Sequence, residues 1–220
     1  MLHLNCESAF VLRRMSYKEN SYLVDLFTKN NGLQRAIVRI RKQKNYRYTE
    51  NYAPFRELSI TGIKRNELFV IQKSEILRYY QLNGKKWLSV SYLNELLLHH
   101  TKIDYADVEL YHLYTQALQQ PDTYRLRMIE WYLINELALI PERNHTASFY
   151  QLFQKNGWLV LQPALKGFTH ELIVQIEART LPLEHPQLKN YLQTILSFNS
   201  NAKQKTKTTA YALLQLLQPK

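Results

Sequence analysis

The chain has 220 residues, 45% of them hydrophobic and 21% charged, enough for one large or two small domains with a real core. Its 29 Lys and Arg against 18 Asp and Glu leave a net charge of +11, a surplus that favours a polyanionic partner. A single cysteine, Cys6, excludes an intrachain disulfide and a cysteine-built zinc site.

The charge is unevenly spread. Residues 1–80 hold 15 basic and 7 acidic residues, a net of +8, and residues 81–220 hold 14 and 11, a net of +3. The opening residues include Glu7 and then Arg13-Arg14, which is not a signal-peptide pattern. No stretch approaches the roughly 20 apolar residues of a membrane span. The expected location is the cytoplasm.

The first 80 residues read as strands. Ala9-Phe10-Val11-Leu12 is a short apolar run, and Tyr22-Leu23-Val24-Asp25-Leu26-Phe27 is β-branched and aromatic. Asn30-Asn31-Gly32 then supplies the positive-φ positions of a hairpin turn, and the chain returns through Leu33, Ala36, Ile37, Val38 and Ile40. Phe55, Leu58 and Ile60 begin a strand ending at Gly62, and Leu68-Phe69-Val70-Ile71 is a fifth. Five short strands in about 75 residues predict a small closed or nearly closed barrel.

Near Asn83-Gly84 the periodicity becomes helical. Val90, Leu93 and Leu97 share a face, as do Leu110, Tyr114 and Ala117, and then Leu126, Ile129, Leu133 and Leu137. Pro121-Asp122-Thr123 reads as a helix start. Asn156-Gly157 reads as a helix stop after Phe149, Leu152 and Phe153, with a short strand or extended segment at Trp158-Leu159-Val160-Leu161. Further helices are expected at about 169–179, 187–198 and 208–217. The expected fold class is α+β in two domains, a barrel over residues 1–80 and a mostly helical domain over 81–220.

The densest chemical signal runs from Arg35 to Arg47. It holds Arg35, Arg39, Arg41, Lys42, Lys44 and Arg47 without one acid, and Tyr46, Tyr48, Tyr52 and Phe55 follow. Cations neutralise phosphates and aromatic faces stack bases, so this composition suits single-stranded nucleic acid. The competing structural account is a solvated basic loop whose tyrosines cover the barrel's end. Arg13, Arg14, Lys64 and Arg65 extend the same surface or end exposed strands. Lys203, Lys205 and Lys207 read as a solvated loop with a possible second basic contact.

Catalytic signals are poor. There are 5 glycines and neither a nucleophile elbow nor a phosphate-cradling loop. Cys6 reads as a small hydrophobe in a first strand. His99 and His100 point about 100° apart on a helix, and His100 with Asp104 gives two ligands where catalytic zinc takes three. No enzyme activity, cofactor or metal is expected.

Taken together, these segments resemble the RecO family of bacterial recombination mediators. The resemblance rests on Ala9-Phe10-Val11-Leu12, on Tyr17-x-Glu19-x-Ser21 and on Leu23-Val24-Asp25-Leu26-Phe27-Thr28 followed by Gly32. Pro54-Phe55 and Gly62-x4-Glu67-Leu68 continue it, then Tyr92-Leu93-Asn94-Glu95-Leu96-Leu97-Leu98 and Leu126-Arg127-x2-Glu130-x2-Leu133-x3-Leu137. It implies an OB-fold barrel followed by a helical domain that binds and anneals single- and double-stranded DNA. It also implies action with RecR to load RecA onto strands coated by single-strand-binding protein, whose acidic C-terminal tail docks on the helical domain. On that analogy Arg127 grips the tail's carboxylates, a role that suits a bidentate guanidinium. The DNA-contacting set is then Arg13, Arg14, Arg35, Arg39, Arg41, Lys42, Lys44, Arg47, Tyr46 and Tyr48, in a nucleoid-associated protein. The chain departs from the family at several points. The four-cysteine zinc site that many members carry is missing after Leu139, Met15-Ser16-Tyr17 replaces Arg-Pro-Tyr, and Arg127-Met128-Ile129-Glu130 replaces Arg-Arg-Phe-Glu. The rival readings are an RNA-binding OB-fold adaptor and a non-catalytic protein-interaction scaffold.

Overall fold

The computed structural model describes residues 3–39 and 51–200. The chain divides into two compact units between Pro121 and Asp122.

In the first unit, five strands form a closed barrel: β1 (His3–Ser16), β2 (Ser21–Thr28), β3 (Gly32–Arg39), β4 (Arg56–Arg65) and β5 (Leu68–Tyr79). Their order around the barrel is β1-β2-β3-β5-β4. Every neighbouring pair is antiparallel except β3–β5, which is parallel and pairs only at Ala36 with Phe69 and Ile37 with Val70 among the described residues. The period-2 pattern fills the barrel with Ala9, Val11, Val24, Leu26, Ala36, Val38, Leu58, Ile60 and Phe69. Tyr52 joins this core, and Phe55 is buried beside it with its ring edge-on to Trp87 at 6.2 Å. Tyr52 therefore fills the barrel and Phe55 packs against Trp87, so both rings are buried rather than displayed to bases.

The β2–β3 connection is Lys29-Asn30-Asn31, and of the expected positive-φ triplet only Gly32 takes that conformation, at φ 63°. The buried Glu7 carboxylate accepts from the Asn30 backbone N–H at 2.7 Å and its side-chain amide at 3.1 Å, which ties the turn to β1.

Two helices complete this unit, α1 (Gly84–His100) and α2 (Val108–Gln119). The strand-to-helix change falls where the sequence places it, but the compact unit continues past residue 80 to Pro121. The reason is a second apolar layer outside the barrel. Phe10 and Phe27 point outward from β1 and β2, and Tyr111 and Tyr114 of α2 cover them at ring separations of 4.9–6.2 Å. The Asn94 amide of α1 donates to the Leu12 carbonyl at 2.8 Å, and the Tyr114 hydroxyl donates to the Asn94 carbonyl oxygen. Burial pushes the Tyr111 and Tyr114 hydroxyls well above the ordinary tyrosine range.

The α1–α2 loop is clamped to the barrel. Ile103 bridges to Gly32 and Leu33, and the Asp104 N–H donates to the Leu33 carbonyl at 3.3 Å. The Asp104 carboxylate accepts from the Gln34 amide at 2.9 Å and pairs with Lys64. These contacts turn Asp104 towards the barrel.

The second unit starts with α3 (Thr123–Glu136), capped by the Asp122 carboxylate, which accepts from the Arg125 N–H at 2.8 Å. A four-stranded sheet follows: β6 (Glu142–Arg143), β7 (Phe149–Lys155), β8 (Trp158–Pro163) and β9 (Phe168–Thr169), in the order β6-β8-β7-β9. Helices α4 (His170–Glu177) and α5 (Leu188–Asn199) complete the unit. The expected helix ending at Asn156-Gly157 is instead strand β7. Asn156 and Gly157 have φ of 51° and 84° and form a two-residue hairpin turn between Lys155 and Trp158. Asn-Gly between alternating apolar residues is a hairpin signal, and that reading outweighs a helix stop here. The expected helix at 208–217 lies outside the described residues.

Tyr150 anchors this sheet. Its hydroxyl accepts from the Ala147 N–H and from the Arg143 guanidinium, both at 2.9 Å, and lies 3.2 Å from His170 Nδ1. Among the described residues no helix is long and apolar enough to cross a membrane.

Candidate nucleic-acid interface

The outer face of β1, β2 and β3 carries cations in register. The bulge between Val11 and Arg13 shifts the phase of β1, so Arg13 lies beside Asp25, and Asp25 lies beside Arg35. The next outward row is Met15, Leu23 and Ile37, all half-buried, and Arg39 pairs with Ser21 beyond it.

Asp25 is 2% exposed and binds both guanidiniums: Arg13 Nε donates to one carboxylate oxygen at 2.8 Å, and Arg35 Nε donates to the other at 2.8 Å. The two arginine side chains remain 45% and 49% exposed. One carboxylate thus orients two cations, and the cluster keeps a net charge of +1. Each guanidinium has five N–H donors, so the outward ones stay available to phosphate oxygens.

Arg14, on the adjacent position of β1, lies over the Tyr22 ring at 4.8 Å from its centroid. Arg39 is exposed at the end of β3. Arg41, Lys42, Lys44, Tyr46, Arg47 and Tyr48 lie outside the described residues. Lys64 is turned to Asp104, whereas Arg65 is exposed at the β4–β5 turn.

The sequence reading missed two cation sites on the barrel. The sequence shows Asp25 only as a strand residue, although its parity with Leu23 puts it on the outer face between two arginines. Away from that face, Arg56 lies over the exposed Tyr79 ring at 5.0 Å, a cross-strand pair of β4 and β5 that strand pairing alone reveals.

The structure places Arg127 differently from an exposed grip. It is 4% exposed on α3 and forms an ion pair with Glu130, itself fully buried, one turn along the same helix. Helix α3 packs against α5, whose Gln193 amide reaches Glu130 at 3.5 Å, so the guanidinium has an internal carboxylate partner.

Barrel, helices and cationic strand face define a class: a barrel-and-helix protein with its excess positive charge on the strands. Residues 2–80 match the family described as recombination protein O, N-terminal. The chain is 30% identical over 165 residues to the DNA repair protein RecO of Pseudoalteromonas atlantica, covering 72% of this chain and 68% of that protein. It is 26% identical over 165 residues to the protein of that name from Idiomarina loihiensis, covering 71% of this chain and 70% of the relative. Against the one from Stutzerimonas stutzeri it is 34% identical over 138 residues, 60% of this chain and 57% of the relative. The chain belongs to the RecO family.

Proposed function

We propose that this protein acts in DNA repair and recombination as a non-catalytic mediator that binds DNA on the outer face of β1–β3. The observation that carries the reading is the register of Arg13, Asp25 and Arg35, which fixes two half-exposed guanidiniums side by side with Arg39 beyond them. Tyr22, half-buried under Arg14, has the inward parity of Val24 and packs on the barrel core, which holds Arg14 at the end of the barrel.

The strand order β1-β2-β3-β5-β4 with a parallel β3–β5 seam supports an OB fold. In that fold the strand 2–3 face and the neighbouring loops bind oligonucleotides. Here the segment after Arg39 adds Arg41, Lys42, Lys44 and Arg47 with Tyr46 and Tyr48. The proposed mechanism is electrostatic. Cations on the barrel neutralise phosphates on two strands and lower their mutual repulsion, which favours annealing. Within the family reading, the partners are RecR and the acidic tail of single-strand-binding protein, with loading of RecA as the outcome, in a cytoplasmic, nucleoid-associated protein. The internal pairing of Arg127 favours other exposed cations for the tail.

Titration with a single-stranded oligonucleotide at several salt concentrations tests this. The expected log–log slope is about −3 to −5, from about four to seven neutralised phosphates. Reversing Arg39, Arg41 and Lys44 to Glu is expected to weaken binding and to flatten that slope by roughly 2. Unchanged binding by a folded triple variant would put the interface elsewhere, and no binding by the parent at low salt would leave the scaffold reading.

A further inference from the structure

In the second unit, residues of β7 and β8 alternate between core and solvent. Tyr150 and Leu161 face the core. Phe149, Gln151, Phe153 and Lys155 of β7 share the other side with Trp158, Val160 and Gln162 of β8. That outward side carries Trp158 at 68% exposure and Phe153 at 43%.

The two rings are diagonal neighbours, because Phe153 pairs with Val160 and Lys155 with Trp158. Diagonal residues on one face of an antiparallel pair stand about 7–8 Å apart. Both rings therefore stand at neighbouring positions on one side of the hairpin, where each exposed face can stack a base. Cations frame the rings. Lys155 is beside Trp158 at the hairpin tip. Lys166 is at the other end, where the Gln151 amide donates to its carbonyl at 3.2 Å. The Cα span from residue 151 to 155 is about 13 Å.

Composition points the same way. Between Glu142 and Glu171 the sequence has no carboxylate, while it holds Arg143, Lys155 and Lys166. Arg143 is engaged with Glu177 at 2.8 Å, which leaves the two lysines for this face. The one acid along the sheet is Glu142, beside Val160 on β6. The hairpin is also preorganised. The Ala164 N–H donates to the Phe149 carbonyl at 3.0 Å, and Gly167 packs so closely that an added Cβ would lie 2.2 Å from the Tyr150 carbonyl oxygen.

We infer that the outward face of β7–β8 is a second nucleic-acid contact, at which Trp158 and Phe153 stack bases of a single strand while Lys155 and Lys166 meet its phosphates. A sheet that displays aromatic rings beside cations is a general way to hold unstacked bases with little sequence preference. The inference rests on the reading of the protein as a nucleic-acid binder but uses none of the barrel residues.

The test is a titration of the full chain with oligothymidylate and with an abasic oligomer of equal charge. In a Trp87→Phe, Trp131→Phe background, Trp158 emission should be quenched by oligothymidylate. Phe153→Ala with Trp158→Ala should weaken oligothymidylate binding at least about 5-fold with an unchanged salt slope, and leave abasic binding as in the parent. Trp158→Phe should keep most of the affinity. If the parent binds and the barrel triple variant weakens it, but the hairpin variants bind normally without quenching, this inference alone falls. If the parent does not bind at all, both readings fall. If the double variant binds normally but loses self-association in sedimentation, the face is a protein interface and the inference is overturned.

Discussion

Asp25 and Glu130 are both buried carboxylates facing arginine, yet they hold their partners in opposite ways. Asp25 keeps Arg13 and Arg35 half in solvent, where their remaining donors can meet an anion. Glu130 holds Arg127 inside a helical packing layer. Removing one member of a buried pair leaves an uncompensated charge, which costs about 3–5 kcal/mol. Arg127→Ala is therefore expected to lower stability by about 3 kcal/mol, read as a shift of the denaturation midpoint at constant slope. A change below about 0.5 kcal/mol, as for an exposed surface residue, would make Arg127 a docking cation instead. The amino-acid pattern alone did not distinguish these cases. Arg127 sits beside the Leu126, Ile129, Leu133 stripe, and burial there depends on α5, about 60 residues later in the chain.

Among elements, the α1–α2 loop depends on Asp104. The Lys64 ammonium, helped by the Gln34 amide, holds this carboxyl below the ordinary aspartate range despite some desolvation. A carboxyl with a lowered folded-state pKa contributes stability above its unfolded value and loses it as pH falls through the folded one. The contribution is thus complete above about pH 5 and fades below the ordinary value of 3.8. Because Asp104 is half-exposed, it is worth no more than about 1 kcal/mol. Asp104→Asn should therefore be less stable than the parent near neutrality, with the gap closing below about pH 4 in parallel denaturation curves. A constant gap across that range would assign the effect to lost packing. The strands of the barrel were legible because alternation and Asn-Asn-Gly are local signals. The β7–β8 hairpin was legible only in part. Its apolar residues fit either period over seven positions, and the Asn-Gly turn decided the outcome.

At the scale of the whole chain, the sequence marked a change of secondary structure near residue 83, and the helix starts at Gly84. It did not mark where the first compact unit ends, because that depends on which surfaces are covered. Phe10 and Phe27 look like barrel-filling residues in the sequence, but they face outward and are covered by α2. A fragment ending at residue 82 would bare both rings and is expected to melt at lower temperature than one ending at residue 121, as followed by circular dichroism. Equal melting temperatures would make the barrel self-sufficient. The cationic face was legible as composition and invisible as geometry. Charge counts located it in the first third of the chain, but only register could reveal that two of its arginines share a carboxylate.

The parallel seam of the barrel has a kinetic consequence. Among the described residues, four of the five junctions between strands are antiparallel ladders of six or more residue pairs, while β3 and β5 join through two. Breathing of a closed sheet starts where the fewest hydrogen bonds must break together. The seam beside Ile37 and Val70 is thus the hinge line of any transient opening, and it runs along the strand that carries Arg35 and Arg39. Because Arg13, Asp25 and Arg35 all lie on the β1–β3 side of that seam, an opening there would move the cationic face as one piece and keep its two guanidiniums on their shared carboxylate.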